Sequence, residues 1–355
     1  MPTINLNKLF RHDLEGLQPY SPSRVTISDM DRIIKLDANE NPYGPSPKAM
    51  AALAQMRHWE RYAAQDELRP ALAQYGRVGV ENIVVGNGAD EVIDLVQRVF
   101  LDPGDSIVDF PPTFEMYSQC AAVIGARVIE VPRWADFSLD IDAVERLVTQ
   151  ERPKLIFVAN PNNPDGRLAR RQDVERLLEL PVVLVVDEAY AEFAGESLIE
   201  RVPLEANLVV VRTFSKWAGL AGLRIGYCAA PAKIADQMLR IKPPYNVNAA
   251  AIVAAKASLE DADYLLGNVQ RLIQERERLS WELAQVGYLE PLPSCTNFIL
   301  CRVENKSPLD LRNRLASQGI LIRAYTAPQL REYVRISVGT SEQDDVLLQA
   351  LKGQG

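Results

Sequence analysis

Between residues 82 and 230, short continuous apolar runs alternate with segments whose apolar residues recur at helical spacing. Uninterrupted apolar runs of this length are typical of strands buried on both faces of a parallel sheet. Helical segments between them are the crossover connections that such a sheet requires, which predicts an α/β unit. The predicted strands are 82–86, 106–109, 155–159, 182–186, 208–211 and 223–227, and the predicted helices include 143–149, 172–180 and one that contains apolar positions 92, 95, 96 and 99.

The pattern changes after Pro243 and Pro244, where long helical periodicity leads to shorter apolar runs at 297–301, 320–323 and 333–338. These runs, with helices between and after them, predict a smaller α+β unit. The chain of 355 residues is longer than a single core usually supports. We therefore expect a large α/β domain over 40–245 and a small α+β domain formed by 1–39 and 246–355, packed closely because no Ser/Gly-rich linker separates them.

Composition narrows the function classes. The net charge of -8 argues against a nucleic-acid surface, which needs a basic stripe. No run of about 18 apolar residues predicts a membrane span, and no apolar stretch follows a basic start, so we expect a cytoplasmic protein. The four cysteines form no CxxC pair and are expected to be reduced. Only two histidines occur, His12 and His58, which disfavours a Ser-His-Asp triad or a histidine metal site.

Three of the predicted strands end in polar residues that carry chemistry. Residues 155–159 lead to Asn160, residues 182–186 lead to Asp187 and Tyr190, and residues 208–211 lead to Lys216. Each of these ends, taken alone, is also what ordinary turn chemistry produces. Because ligands of open α/β sheets bind beyond the carboxyl ends of the strands, the three together place a lysine, a carboxylate and an amide at one edge.

This combination matches the needs of pyridoxal phosphate. The cofactor requires a lysine amine for a Schiff base, for which Lys216 is the candidate, and a carboxylate at the pyridine nitrogen, for which Asp187 is the candidate. Asn160 and Tyr190 are suited to donate to the ring hydroxyl. Phe114 is the expected flat partner of the ring face.

A phosphate tail calls for backbone amides at a helix N-terminus and for a cation that binds with two donors. The turn formed by Gly88, Ala89 and Asp90 opens a predicted helix, and Arg224 follows Lys216 by eight residues. The hydroxyls of Thr213 and Ser215 are expected beside them, although Arg224 alone also fits a solvated surface cation. Neither a GxGxxG nor a GxxxxGK[ST] sequence is present, which disfavours a nucleotide as the ligand.

With these residues placed, nearly the whole chain resembles the fold type I pyridoxal-phosphate-dependent aminotransferases. The general markers are Asn-Pro-Asn-Asn-Pro at 160–164, Asp-Glu-Ala-Tyr at 187–190, Ser215-Lys216 and the segment 219–226. Further segments are similar to the histidinol-phosphate branch of that family: 17–20, 36–47, 111–114 and 335–339.

The resemblance implies roles that the residues alone do not. Substrate contacts would come from Asn39, Arg323, Arg335 and Tyr20, with Arg335 holding the amino-acid end or the phosphate of the substrate. Tyr62 would reach the cofactor phosphate of the other subunit, which implies a homodimer with shared active sites. Tyr20 and Tyr62 also fit ordinary half-buried aromatics, and the two arginines fit surface ion pairs.

The chain departs from the family pattern at four places. Ala63 follows Tyr62 where proline is usual, Asp165 precedes Gly166 where threonine is usual, and Trp217 follows Lys216 in place of a small residue. Phe114 stands where tyrosine is often found, so it can stack but cannot donate a hydrogen bond.

The reaction that the resemblance implies is transamination between L-histidinol phosphate and 2-oxoglutarate, giving imidazole acetol phosphate and L-glutamate, in histidine biosynthesis. An aromatic amino-acid aminotransferase or a threonine-phosphate decarboxylase shares the general markers, although the segment 39–47 favours the histidinol-phosphate branch. A cofactor-binding protein without catalysis is the alternative from another class. No metal is expected.

Overall fold

The structure, a computed structural model, describes residues 4–5, 9–11 and 32–353. In chain order the strands are β1 Ile34–Leu36, β2 Ile83–Gly86, β3 Ser106–Asp109, β4 Arg127–Glu130, β5 Leu155–Ala159, β6 Val183–Asp187, β7 Leu208–Thr213, β8 Gly226–Ala229, β9 Leu289–Pro291, β10 Phe298–Val303, β11 Ile320–Ala324 and β12 Tyr333–Ser337. The α-helices are α1 Pro47–Gln55, α2 Arg69–Gly76, α3 Ala89–Phe100, α4 Met116–Ile124, α5 Ile141–Glu151, α6 Arg171–Leu178, α7 Ala191–Ala194, α8 Ala232–Ile241, α9 Ala249–Glu260, α10 Ala262–Ala284, α11 Pro308–Ser317 and α12 Ser341–Lys352.

A seven-stranded sheet has the order β2-β8-β7-β6-β5-β3-β4. Its neighbours pair in parallel except β8, which is antiparallel to both β2 and β7. Successive residues of the central strands enter opposite cores: Ile156 and Val158 lie in one apolar cluster, and Leu155 and Phe157 in the other. Burial on both faces explains why these strands have no polar alternation in the sequence.

Most strands lie where the apolar runs predict them, but the strand predicted over 223–227 is displaced. The structure has a 3-10 turn at Ala221–Leu223, and the strand begins only at Gly226. Between them, Arg224 adopts a left-handed conformation with φ +53°, which interrupts an extended backbone. The edge strand β4 was not predicted because two of its four residues are exposed and charged, Arg127 and Glu130.

A second, five-stranded sheet has the order β1-β11-β12-β10-β9. Here β1 is parallel to β11, and the remaining pairs are antiparallel. Helix α10 joins both parts of the molecule, because its Leu272 packs in a core of the large sheet and its Leu279 packs in the core of the small sheet. The division at 39/40 and 245/246 remains a prediction.

The helices of the described ranges include none that combines the length and apolarity needed to cross a membrane. In the same ranges, no group of three or more His, Cys, Asp or Glu residues is arranged to hold a metal ion.

Candidate active site

A cavity of about 700 Å³ lies at the carboxyl edge of the large sheet. Strand ends of the large sheet supply one side, the segment after β1 crosses it, and β11, β12 and the loop after β11 supply the other side. The residues lining it that were predicted from the sequence are Asn39, Ala89, Asp90, Phe114, Asp187, Tyr190, Thr213, Ser215, Lys216, Arg224, Arg323 and Arg335. The structure therefore brings together residues that are up to about 300 positions apart in the chain.

Lys216 lies in the loop after β7, with its amine directed into the cavity. Its Nζ donates to the carbonyl oxygen of Ala38 at 3.0 Å and lies 6.0 Å from the ring centroid of Tyr190. Burial of the amine, helped by the charge of Arg335, lowers the pKa of Lys216 to about 8. A substantial part of the amine is thus neutral near pH 8, as a nucleophile requires.

Trp217 anchors the backbone next to this lysine. Its side chain is 1% exposed and stacks on Tyr75 with ring centroids 5.3 Å apart and planes 7° from parallel. Asn41 Nδ2 donates to the carbonyl oxygen of Trp217 at 3.0 Å. The large residue that departs from the family pattern therefore fills core space behind Lys216 without entering the cavity.

Asp187 ends strand β6 and is buried. Its two oxygens are fixed by different donors: Tyr117 Oη donates to Oδ2 at 2.7 Å, and the backbone N–H of Ala189 donates to Oδ1 at 3.0 Å. Burial raises the pKa of Asp187 to about 6, and the two hydrogen bonds limit the rise. Phe114 lines the same cavity, with its ring edge-on to Tyr117 at 5.6 Å between centroids.

The asparagines of the 160–164 segment differ in where their side chains lie. Asn160 Oδ1 accepts from the backbone N–H of Ala169 at 2.8 Å, and Asn160 is not among the lining residues. Asn163 does line the cavity, and its Oδ1 accepts from Arg335 Nη1 at 2.5 Å. The geometry thus favours Asn163 over Asn160, the residue named from the sequence, as the amide that faces a ligand.

Asp165, another departure, is fully buried and lies outside the cavity lining. Its carboxylate accepts from Asn162 Nδ2 and, at 3.0 Å, from the backbone N–H of Arg167. Asn162 in turn accepts from Thr113 Oγ1 at 2.8 Å. Asp165 therefore orients Asn162, and Asn162 ties the 160–167 turn to the loop that carries Phe114.

The end of the cavity at the N-terminus of α3 can hold an anion. Helix α3 begins at Ala89, and Gly88 precedes it with φ +85°. A Cβ at position 88 would lie 2.7 Å from Arg224 Nη2, so glycine leaves the space that the guanidinium occupies. Arg224 also donates to Asp90 Oδ2 at 2.8 Å, and the Thr213 and Ser215 hydroxyls are buried beside this region at 3.0 Å from each other.

Tyr190 is connected to the segment that crosses the cavity. Its Oη accepts from Asn39 Nδ2 at 2.9 Å. Asn39 is 2% exposed, and Ser337 both accepts from its backbone N–H at 2.8 Å and donates to its Oδ1 at 3.0 Å. Asn39 thus orients Tyr190 in this structure and has its own polar groups satisfied by the small sheet.

Arg335 is buried on β12, and its guanidinium spans two segments. Besides Asn163, it donates from Nη2 to the carbonyl oxygen of Asp37 at 2.6 Å. Arg323 on β11 is opposite Arg335 in the strand pairing, and both line the cavity. Two guanidinium groups at one wall form a site for a dianion or a carboxylate.

Among the described residues, the predicted site residues that do not line this cavity are Gly88, Asn160 and Tyr62. Tyr62 is 81% exposed and stacks on Tyr245 at 4.3 Å between ring centroids, away from the lining residues. Tyr20 lies outside the described residues. Conversely, Tyr117 and Asn163 were not identified from the sequence. The available signal for Tyr117 was an aromatic residue three positions after Phe114, in the first turn of the helix that follows it.

The model of the family "Aminotransferase class I and II" matches residues 31–351 of this chain, which places the chain in that class. The histidinol-phosphate aminotransferase of Roseiflexus castenholzii (strain DSM 13941 / HLO8) is 49% identical, and the match covers 98% of each chain. The chain belongs to the histidinol-phosphate aminotransferase family.

Solved structures agree with this assignment. Histidinol-phosphate aminotransferase from Sinorhizobium meliloti, solved in complex with pyridoxal-5'-phosphate, has a TM-score of 0.87 at 29% identity over 98% of each chain. L-threonine-O-3-phosphate decarboxylase from Porphyromonas gingivalis has a TM-score of 0.79 at 25% identity, covering 90% of this chain and 99% of its own. The family and the fold type predicted from the motifs are confirmed.

Proposed function

We propose that this protein uses pyridoxal 5'-phosphate to transfer the amino group of L-histidinol phosphate to 2-oxoglutarate, giving imidazole acetol phosphate and L-glutamate in histidine biosynthesis. One observation carries the proposal: Lys216, Asp187 and Arg224 line a single cavity, beside a helix N-terminus. The full-length similarity to histidinol-phosphate aminotransferases supports the choice of substrate.

The residues present fit the cofactor. Gly88 has no side chain, which leaves room for the Arg224 guanidinium. Arg224 and the Ala89 N–H can then bind a phosphate together. Thr213 and Ser215 add two hydroxyl donors at the same end. Asp187, at the end of β6, is the buried carboxylate that a pyridinium nitrogen requires.

Each residue then has a defined task. When bound, pyridoxal phosphate supplies an aldehyde for amines and a ring that accepts an electron pair. Lys216 Nζ would hold the cofactor, and its amine is the group that would move a proton at the substrate carbon. Asp187 would accept a hydrogen bond from the protonated pyridine nitrogen. Asn163, in place of Asn160, and Tyr190 would donate to the ring hydroxyl, and Phe114 would cover a ring face.

The substrate phosphate is held by Arg323 and Arg335 at the other wall of the cavity. Both carry a fixed positive charge, and Arg335 is already oriented by Asn163 and by the carbonyl of Asp37. Asn39 orients Tyr190 and lines the same pocket. The same two guanidinium groups would donate hydrogen bonds to the carboxylates of 2-oxoglutarate in the second half of the reaction.

A homodimer with shared active sites completes the proposal. The exposed, mutually stacked rings of Tyr62 and Tyr245 lie outside their own cavity, as expected of a surface that meets a second copy of the chain. Tyr62 would then contribute to the partner's cofactor phosphate. Location in the cytoplasm and the domain bounds given above remain predictions from the sequence.

The first test is the visible absorption spectrum of the purified protein before and after addition of histidinol phosphate. We expect the band of lysine-bound cofactor to disappear as the amino group is transferred. Borohydride reduction followed by peptide mapping should place the cofactor on Lys216. Lys216→Ala should lose both the band and turnover, whereas Lys35→Ala, at the other lysine lining the cavity, should keep the band.

The competing functions give different results in the same preparation. Release of carbon dioxide from threonine phosphate would indicate the decarboxylase, and transfer from phenylalanine with no reaction of histidinol phosphate would indicate an aromatic aminotransferase. Bound cofactor with no turnover of any of the three would indicate a protein without catalysis. Each of these outcomes contradicts the proposal.

A further inference from the structure

Tyr117 is a fully buried residue in the first turn of α4, and its hydroxyl reaches the carboxylate end of β6. It donates to Asp187 Oδ2 at 2.7 Å, a length typical of a strong bond to a charged acceptor. The ring is held by stacking on Phe157 at 4.9 Å with planes 16° from parallel. The carbonyl of Tyr117 accepts from the buried Gln97 Nε2 at 2.9 Å. Both the ring and the backbone of Tyr117 are therefore held by buried neighbours.

We propose that Tyr117 is a positioning residue that fixes the Asp187 carboxylate and keeps it ionised, so that the carboxylate can hold a protonated pyridine nitrogen. The inference rests on the proposed function and deepens it. Tyr117 acts through Asp187, and it also contacts Phe114 edge-on, the residue proposed to cover the ring of the cofactor. One side chain thus contacts both the carboxylate that would pair with the ring nitrogen and the aromatic ring that would stack on the cofactor.

The surroundings of Asp187 make this bond necessary. Burial disfavours the charged form of the carboxylate, and the nearby Asp90 and Glu188 disfavour it further. The groups that favour ionisation are the hydroxyl of Tyr117 and the N–H of Ala189. Around Tyr117 itself, the neighbouring titratable groups are Asp187, Asp109 and Tyr190. Loss of the hydroxyl therefore leaves the carboxylate with one donor among like charges, and its pKa must rise.

The experiment compares Tyr117→Phe with Tyr227→Phe in the apo form of the full-length protein. Tyr227 is the matched control because it is 2% exposed and its hydroxyl has no hydrogen-bond partner among the described residues. The dissociation constant of pyridoxal phosphate is measured by fluorescence titration between pH 5 and pH 9. We expect Tyr117→Phe to weaken binding about tenfold at neutral pH, since hydrogen bonds to charged groups are the stronger ones.

The pH profile separates positioning from a purely structural role. In the parent protein, affinity should fall as acid protonates Asp187, and in Tyr117→Phe the midpoint of that fall should move to higher pH. The kcat for histidinol phosphate should drop while its KM changes less than about twofold, because Tyr117 is proposed to act on Asp187 and not on the substrate. Tyr227→Phe should match the parent in all three measurements.

A double-mutant cycle gives the decisive outcome. In an Asp187→Asn background, Tyr117→Phe should change cofactor affinity less than about twofold, because its partner charge is gone. An equal loss in both backgrounds, or an unmoved midpoint, would overturn the proposal. If Tyr117→Phe does not fold, 3-fluorotyrosine at position 117 serves instead, because it keeps the ring and has a stronger hydroxyl donor. The midpoint of the pH profile should then move to lower pH. An unmoved midpoint would contradict the proposal. A parent protein that binds no cofactor would instead overturn the proposed function.

Discussion

The space left by Gly88 leads to a quantitative prediction for Gly88→Ala. Two costs arise. Gly88 has φ +85°, and an L-residue there loses about 1–2 kcal/mol of stability. The new Cβ would also lie 2.7 Å from Arg224 Nη2, so the guanidinium must move. Its pair with Asp90 is solvent-exposed and contributes at most about 1 kcal/mol, so moving it costs little in stability. The larger expected effect is a loss of affinity for the cofactor, whose phosphate Arg224 is proposed to bind.

Gly104→Ala separates these costs. Gly104 has φ +92°, but a Cβ there meets nothing within 4 Å. Both variants should therefore melt earlier by a similar amount, which differential scanning calorimetry of the apo proteins measures. Only Gly88→Ala should bind pyridoxal phosphate more weakly, by about 10- to 100-fold, since a hydrogen bond from a cation to a phosphate contributes about 1.5–3 kcal/mol. Cofactor affinity within about twofold of that of Gly104→Ala would refute the assignment of Arg224 to the phosphate.

Two further predictions concern buried charge. Arg212→Met removes the cation that bonds Glu188 at 2.9 Å and Glu192 at 2.8 Å, all three being buried; urea unfolding should show a loss of about 3–5 kcal/mol, and adding Glu188→Gln with Glu192→Gln should restore much of it. For Asp187, the pKa of about 6 in the folded apo protein exceeds the unfolded value near 3.8, so the folded state binds more protons between these values and stability falls as pH rises from about 4 to 6. Relative to the parent, apo Asp187→Asn should gain roughly 3 kcal/mol over that window, and a constant difference would contradict the buried carboxylate's pKa.

The strands of the large sheet were predictable because burial on both faces removes polar residues from them. Strands 106–109 and 155–159 were predicted at their observed bounds. The failures have local causes: Arg224 takes a left-handed conformation that an apolar run does not reveal, and the exposed edge strand at Arg127–Glu130 has no apolar run. Strand bounds can thus be predicted where both faces of the strand are buried, and the prediction fails where burial is partial.

The residues of the site were predictable to the extent that they follow strand ends. Which of two neighbouring asparagines faces the cavity was not, because Asn160 and Asn163 belong to one turn and are chemically identical. The orientation of each side chain depends on its hydrogen-bond donor. The backbone N–H of Ala169 donates to Asn160 Oδ1, and Arg335 Nη1 donates to Asn163 Oδ1. Arg335 lies 172 positions further along the chain, so no local pattern contains this information.

The segment 37–41 connects the Lys216 amine, which follows the large sheet, to Arg335 of the small sheet. Its carbonyl groups accept from Lys216 Nζ at Ala38 and from Arg335 Nη2 at Asp37, so the two cations are held by adjacent residues. The charge of Arg335 is the second-largest cause of the lowered pKa of Lys216. An anionic substrate group on Arg335, in the role proposed for it, would offset that charge and raise the pKa of Lys216. Lys216 would then be a weak base in the empty site and a stronger one once substrate is in place, which is the order that proton transfer at the substrate carbon requires.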